Sequence, residues 1–239
     1  MSEIRNYDTA TDVAEAAAEN AVEILARAIE MHGSASWVLA GGTSPIAAYK
    51  ILVKRYHDVL DWSKVTILVG DERVVPIDNA ESNWGTITDI FDKSPELSSM
   101  RRVVPDLSGT AEEAATEYDR MVRQLAGERR FDLVWVGVGE DGHSMSLFPG
   151  NAGFVDVTED WVIPVHNSPK PPSDRFSFSL KALEHVHELV IFAVGASKKD
   201  ALHEARLKGK LPVAVVADTV EAYGGEVRWL YDDPAWGEK

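Results

Sequence analysis

The stretch from Trp37 to Tyr56, WVLAGGTSPIAAYKILVKRY, holds the decision about the fold. It opens on an apolar run, Trp37 to Ala40, turns through Gly41-Gly42-Thr43-Ser44, and continues from Pro45 to Tyr56 with apolar residues at helical spacing. Thr43 or Ser44 is placed to cap that helix, and Pro45 falls in a first turn, where a helix tolerates it. Strand, tight turn and helix make the repeating unit of a parallel sheet. Further short β-branched runs at Val65–Val69, Leu133–Val136, Leu189–Val194 and Val213–Val216 read as strands buried on both faces. Helical patterns lie between them at Ala111–Ala126 and Lys198–Leu207. Before the first run, Val13, Ala17, Val22, Leu25 and Ile29 mark one stripe of a long helix, started at Thr11-Asp12 and stopped at Gly33. The expectation is an α/β fold with a mainly parallel sheet flanked by helices on both faces, Rossmann-like. No repeat, low-complexity tract or long linker divides the chain, so residues 1–239 read as a single domain.

Composition narrows the function. The 239 residues carry 24 Lys plus Arg against 39 Asp plus Glu, a formal net charge of −15, with 45% hydrophobic residues. That acidity repels a phosphate backbone, and no basic run offers a local exception, so nucleic acid is not an expected partner. A small anion is compatible, because a few placed cations and backbone amides outweigh a distant net charge. Cysteine is absent, which excludes disulfides, thiolate chemistry and Cys-ligated zinc. The start of the chain has neither a basic n-region nor an apolar h-region, and the apolar runs fall far below the roughly 18 residues of a membrane span. A cytoplasmic location without membrane contact is expected.

Ligands of such sheets bind beyond the carboxyl ends of the strands, so the following loops are where chemistry belongs. The Gly41–Pro45 turn presents free N–H groups and the positive end of a helix dipole, with glycines that admit a ligand to the backbone, a setting suited to phosphate. A plain strand-to-helix turn explains the same residues equally well. The next loop carries Asp71-Glu72-Arg73 and, after a polar connection, Ser82-Asn83, offering a carboxylate, an Arg fork and an amide to one pocket. The stretch Gly137-Val138-Gly139-Glu140-Asp141-Gly142-His143 follows a buried strand, and its imidazole can take a proton from water while the carboxylate fixes its tautomer; taken alone, an Asp-Gly turn with an incidental His is the commoner explanation of these residues. His143 has no His partner at helical spacing, and His185 and His187 read as surface side chains, so no metal site is expected. Finally, Lys198 opens a helix directly after a strand, where a cation opposes the dipole unless an anion binds, although a solvated lysine accounts for the same residue. Arg175 lies upstream in the Pro-rich stretch Pro169–Ser177.

Taken in order, these segments resemble the 6-phosphogluconolactonase family of the glucosamine/galactosamine-6-phosphate isomerase superfamily, over most of the chain. The carriers are Gly41-Gly42-Thr43-Ser44-Pro45, Asp71-Glu72-Arg73 with Ser82-Asn83, and Asp141-Gly142-His143 continuing to Ser146-Leu147-Phe148-Pro149-Gly150. The aminosugar-phosphate deaminases of the superfamily share Asp-Gly-His but continue with Phe-Asn-Glu-Pro-Gly and carry Asp-Glu-Tyr in place of Asp-Glu-Arg. This chain departs from the lactonase pattern with Ser44 where Thr is usual, with Ser144-Met145 for Thr-Ala, and with Pro212-Val213-Ala214 for Pro-Ala-Ser, which removes a hydroxyl.

The resemblance implies a NagB-type fold and hydrolysis of 6-phospho-D-glucono-1,5-lactone to 6-phosphogluconate in the oxidative pentose phosphate pathway, without cofactor or metal. On that reading His143 is the general base and Asp141 orients it. Gly41, Gly42, Thr43, Ser44, Arg175 and Lys198 hold phosphate and sugar, with Asp71 and Asn83 at the substrate. Arg73 either binds phosphate or stabilises the oxyanion. The partner expected is the small sugar-phosphate lactone, with a monomer slightly favoured over an oligomer. Two other readings stand beside it: a hexosamine-6-phosphate deaminase or isomerase in which Asp71 abstracts a proton from carbon, and a non-catalytic sugar-phosphate sensor.

Overall fold

A computed structural model describes residues 2–127, 129–151, 158–208 and 210–237. The strands are β1 (Glu3–Tyr7), β2 (Ala35–Leu39), β3 (Val65–Val69), β4 (Asp71–Arg73), β5 (Arg101–Arg102), β6 (Phe131–Gly137), β7 (Val162–Val165), β8 (Arg175–Phe178), β9 (Val186–Ala193) and β10 (Glu226–Asp232). The helices are α1 (Ala10–His32), α2 (Thr43–Arg55), α3 (Asn83–Phe91), α4 (Pro95–Ser98), α5 (Ala111–Ala126), α6 (Leu180–Leu183), α7 (Lys199–Lys208), α8 (Pro212–Ala222) and α9 (Asp233–Trp236). Seven strands pair side by side in the order β1-β10-β9-β6-β2-β3-β5, every pairing parallel. A second sheet, β4-β8-β7, is antiparallel. Helices flank the large sheet, so the α/β expectation holds. Among the described residues no helix is long and apolar enough to cross a membrane.

Helix α1 starts two residues earlier than Thr11-Asp12 suggests. Thr9 is its cap, accepting from Asp12 N at 3.2 Å while the Asp12 carboxylate accepts from Thr9 N at 3.1 Å, a reciprocal box. Its end is Gly33, in the left-handed conformation at φ 79° as a C-cap requires. The run Val213–Val216 is not a strand. It lies in α8, where Pro212 occupies the first turn and Val213, Val216, Ala217 and Val220 are buried. That is the 3.6-residue period, and a four-residue apolar run alone does not distinguish a buried strand from a buried helix. The strand on that side of the sheet is β10, whose alternating Glu-Val-Arg-Trp-Leu-Tyr-Asp pairs with β9 and β1.

Large aromatics fill the space under the carboxyl ends of the central strands. Trp37 of β2 and Trp135 of β6 meet edge to face at 4.8 Å, Tyr49 of α2 stacks on Trp135 at 5.4 Å, and Phe192 of β9 closes on Trp135 at 4.8 Å. Two buried tyrosines then fix where neighbouring strands end. The Tyr49 hydroxyl accepts from Ala40 N and donates to Ala40 O, and the Tyr118 hydroxyl does the same at Val69. Ala40 is the first residue past β2 and Val69 the last of β3, so the loops beyond depart from a fixed point.

Candidate functional site

The β2–α2 turn leaves its donors free. Helix α2 begins at Thr43 with Gly42 as its cap at φ 90°, and no side chain bonds the cap position, so neither Thr43 nor Ser44 caps the helix as expected. Gly41 to Pro45 all line the cleft, so the first-turn amides, which have no partner within the helix, lie at its wall. Gly41 is required for a different reason: a Cβ there would run into the Asn83 side chain, whose Nδ2 donates to Asp71 O at 2.9 Å.

Asp71-Glu72-Arg73 forms strand β4 rather than an open loop, and alternation divides its side chains. Asp71 and Arg73 line the cleft, while Glu72 is fully buried. Its carboxylate accepts from Ser82 Oγ at 3.1 Å, Asn83 N at 2.8 Å and Trp84 N at 2.7 Å, holding the start of α3 and so the position of Asn83. Burial pushes the Glu72 carboxyl up, against the lowering pull of these amides. Asp71 accepts from Ser146 Oγ at 2.7 Å, which ties β4 to the His143 loop.

His143 follows β6 in a turn closed by Gly139 N donating to His143 O at 2.8 Å and Gly142 N donating to Gly139 O at 3.0 Å. Asp141 Oδ1 lies 2.5 Å from His143 Nδ1, which leaves Nε2 for the cleft. A Cβ on Gly139 would collide with both the ring and this carboxylate, so the pair depends on glycine at that position. Burial lowers the imidazole pKa below its ordinary value, an effect only partly offset by Asp141. Burial is the largest single influence on the Asp141 carboxyl and pushes it up, but the bond to His143, the imidazolium charge and the backbone amides together outweigh it and the net is a lowered pKa. The departure at Pro212-Val213-Ala214 falls beside this turn, with Val213 N donating to Gly142 O at 3.1 Å. That contact is made by backbone and does not need the missing hydroxyl.

Lys198 closes a single 3₁₀ turn, Ala196–Lys198, ahead of α7 rather than opening the α-helix itself. The turn is moored by Gly195 N donating to Asp232 Oδ1 at 2.9 Å. Burial lowers the Lys198 pKa. Arg175 of β8 is 4% exposed, and its donors are largely committed: Nε to Pro172 O at 3.0 Å, and one terminal nitrogen to Lys170 O at 2.9 Å and Pro171 O at 3.3 Å.

These pieces enclose one cleft of about 320 Å³, within the range of roughly 300–1,000 Å³ usual for small-molecule sites. Gly41, Gly42, Thr43, Ser44, Asp71, Arg73, Asn83, His143, Arg175 and Lys198 all line it, and Asp141 stands behind the imidazole. Sequence reasoning missed Lys170 and the aromatic floor of Trp135 and Phe192. The signal for Lys170 was present in the Pro-rich stretch, but only the hairpin between β7 and β8 carries it to the cleft. Arg73, Lys170, Arg175 and Lys198 face it against the single carboxylate of Asp71, so an acidic molecule presents a basic cavity. His185 stacks on Trp161 at 4.4 Å and His187 is exposed, both away from the cleft. Among the described residues no group of three or more His, Asp or Glu is arranged to hold a metal ion.

A base and its orienting carboxylate at one wall, with cations and free amides around it, suit an anionic substrate with an electrophilic carbon. The family model described as glucosamine-6-phosphate isomerases/6-phosphogluconolactonase matches residues 8–229. A probable 6-phosphogluconolactonase 1 of Arabidopsis thaliana is 31% identical over 249 residues, covering 98% of this chain and 92% of that protein. A 6-phosphogluconolactonase 3 of Saccharomyces cerevisiae is 36% identical over 213 residues, covering 84% and 82%. The solved 6-phosphogluconolactonase from Trypanosoma cruzi superposes with a TM-score of 0.84 at 24% identity, covering 100% of this chain and 97% of that one.

Proposed function

The chain belongs to the family of glucosamine-6-phosphate isomerases and 6-phosphogluconolactonases, and from that premise we propose that it hydrolyses 6-phospho-D-glucono-1,5-lactone to 6-phospho-D-gluconate in the oxidative pentose phosphate pathway, acting in the cytoplasm. The observation that carries the reading is the oriented His143–Asp141 pair facing a cleft rich in cations, in a chain 31% and 36% identical to the two named lactonases.

The chemistry follows from what each group can do. A water held at His143 Nε2 gives that nitrogen a proton as its oxygen attacks C1 of the lactone. The carbonyl π electrons move to oxygen, giving a tetrahedral oxyanion. Collapse breaks the bond from C1 to the ring oxygen, and the proton on Nε2 passes to that oxygen as it leaves as a hydroxyl. The acid formed ionises, so one water is consumed and one proton released. Asp141 on Nδ1 fixes the tautomer that keeps Nε2 unprotonated and stabilises the cation formed midway. A δ-lactone is an activated ester, so this needs no covalent nucleophile. Gly41, Gly42, Thr43, Ser44, Arg175 and Lys198 hold the phosphorylated sugar, and Asp71, Arg73 and Asn83 form the facing wall.

The test is an assay that generates the lactone in place and compares its decay with the spontaneous background. His143→Ala is expected to fold normally and to lose about 10²- to 10⁴-fold in turnover, the contribution of a positioned base. A near wild-type rate in that variant would overturn the assignment. Release of ammonia from glucosamine 6-phosphate by the wild-type protein would favour the deaminase reading instead.

A further inference from the structure

The hairpin between β7 and β8 puts into the cleft a cation that the mechanism above does not use. Its loop is bound tightly to its own base: Ser168 Oγ donates to Lys170 O at 2.8 Å and accepts from Lys170 N at 3.3 Å, and Ser168 N donates to Ser173 O at 3.1 Å. From below, the buried guanidinium of Arg175 grips the carbonyls of Lys170, Pro171 and Pro172. Fixing that backbone leaves the Lys170 side chain over the cleft, where Lys170 and Pro171 both line the cavity.

Among the described residues neither Lys170 nor Lys198 is ion-paired with a carboxylate. Both lysines line the same cavity, and there the charge of Lys170 disfavours that of Lys198, adding to the larger effect of burial and opposed by Glu140 and Asp141. Two like charges converging on a partly desolvated cavity repel each other unless a ligand supplies the opposite charge. A phosphate monoester carries close to two negative charges at neutral pH and has three acceptor oxygens, which suits a pair of ammonium groups beside free helix amides.

Building on the lactonase reading, we propose that Lys170 is a substrate-binding residue of the phosphate pole, set by the β7–β8 hairpin opposite Lys198 so that the two ammonium groups clasp the dianion and select the phosphorylated lactone over the unphosphorylated one. Arg175 then serves this pole chiefly by positioning Lys170.

The experiment compares wild type, Lys170→Met and Lys170→Arg on 6-phosphogluconolactone and on unphosphorylated glucono-1,5-lactone, with calorimetric binding of 6-phosphogluconate alongside. Lys170→Met is expected to raise KM for the phosphorylated lactone and weaken 6-phosphogluconate binding by about 10- to 100-fold, the worth of one charge-assisted hydrogen bond, with kcat nearly unchanged. The unphosphorylated lactone is expected to lose less than about 2-fold, because it makes no such bond, and Lys170→Arg is expected to recover most of the binding. Unchanged KM and unchanged 6-phosphogluconate binding in Lys170→Met would overturn the proposal. So would an equal loss of kcat on both lactones, which would put Lys170 at the carbonyl. A wild-type protein that binds 6-phosphogluconate but turns over neither lactone would defeat the lactonase reading, while the binding comparison would still decide the role of Lys170.

Discussion

His143 stands between two opposed influences. The ring is mostly enclosed and packs against Phe148 at 4.5 Å, which disfavours the imidazolium, while Asp141 on Nδ1 favours it. Burial prevails, and the group titrates below its ordinary value near 6.5. Asp71 pulls the same way as Asp141, and the charge of Lys170 helps burial. A general base works only when unprotonated, so activity is present above the lowered pKa and lost as pH falls through it. After subtraction of the spontaneous reaction, kcat/KM is expected to fall on the acid side with a midpoint below that of a free imidazole, about 6.5. A midpoint above that value would mean that the Asp141 contact outweighs burial. Asp141-Gly142-His143 was legible as a base with its carboxylate because the partners are two residues apart. Lys170 was not, because no local pattern separates a solvated lysine from one that overhangs a cavity.

At the scale of elements, the small antiparallel sheet decides which side chains reach the substrate. It carries Asp71 and Arg73 on β4 and Arg175 on β8, and its β7–β8 loop carries Lys170. At the base of that loop, His166 bridges two elements, with Nδ1 at 3.2 Å from Asp174 Oδ1 and Nε2 at 2.8 Å from Glu112 Oε1 in the first turn of α5. The Asp174 contact, reinforced by Glu112, holds the His166 pKa above its ordinary value against a smaller effect of burial. A histidine raised on folding stabilises the folded state most below its unfolded pKa, and that contribution disappears as pH rises through the folded pKa. Proton-detected titration of the His166 ring should therefore give a midpoint above about 6.5, and Glu112→Gln should lower it. A midpoint at or below that value would mean that the bridge does not form in solution. No sequence pattern announced this sheet, because its strands are three or four residues long and β4 is far in sequence from β7 and β8.

At the scale of the whole molecule, the cleft rests on the aromatic cluster that joins β2, β6, β9, α2 and α3. Trp37 is fully buried between Tyr49, Phe91 and Trp135. Replacing it by Ala is expected to cost about 3–5 kcal/mol of stability, since the surrounding strands cannot collapse into the space. Chemical denaturation measures that loss, and a cost below about 1 kcal/mol would show that the cluster repacks. The apolar strand runs, the turn glycines and the Asp141–His143 spacing determined by themselves a parallel α/β sheet with chemistry at its carboxyl ends, because secondary-structure period and nearest-neighbour chemistry are local properties. The tertiary structure alone decided that Val213–Val216 is helical, that Glu72 turns inward while Asp71 and Arg73 turn to the cleft, and that four cations from three separate segments converge on one cavity. Those outcomes depend on which face of each element meets another, and burial, register and electrostatic convergence exist only once distant parts of the chain have packed together.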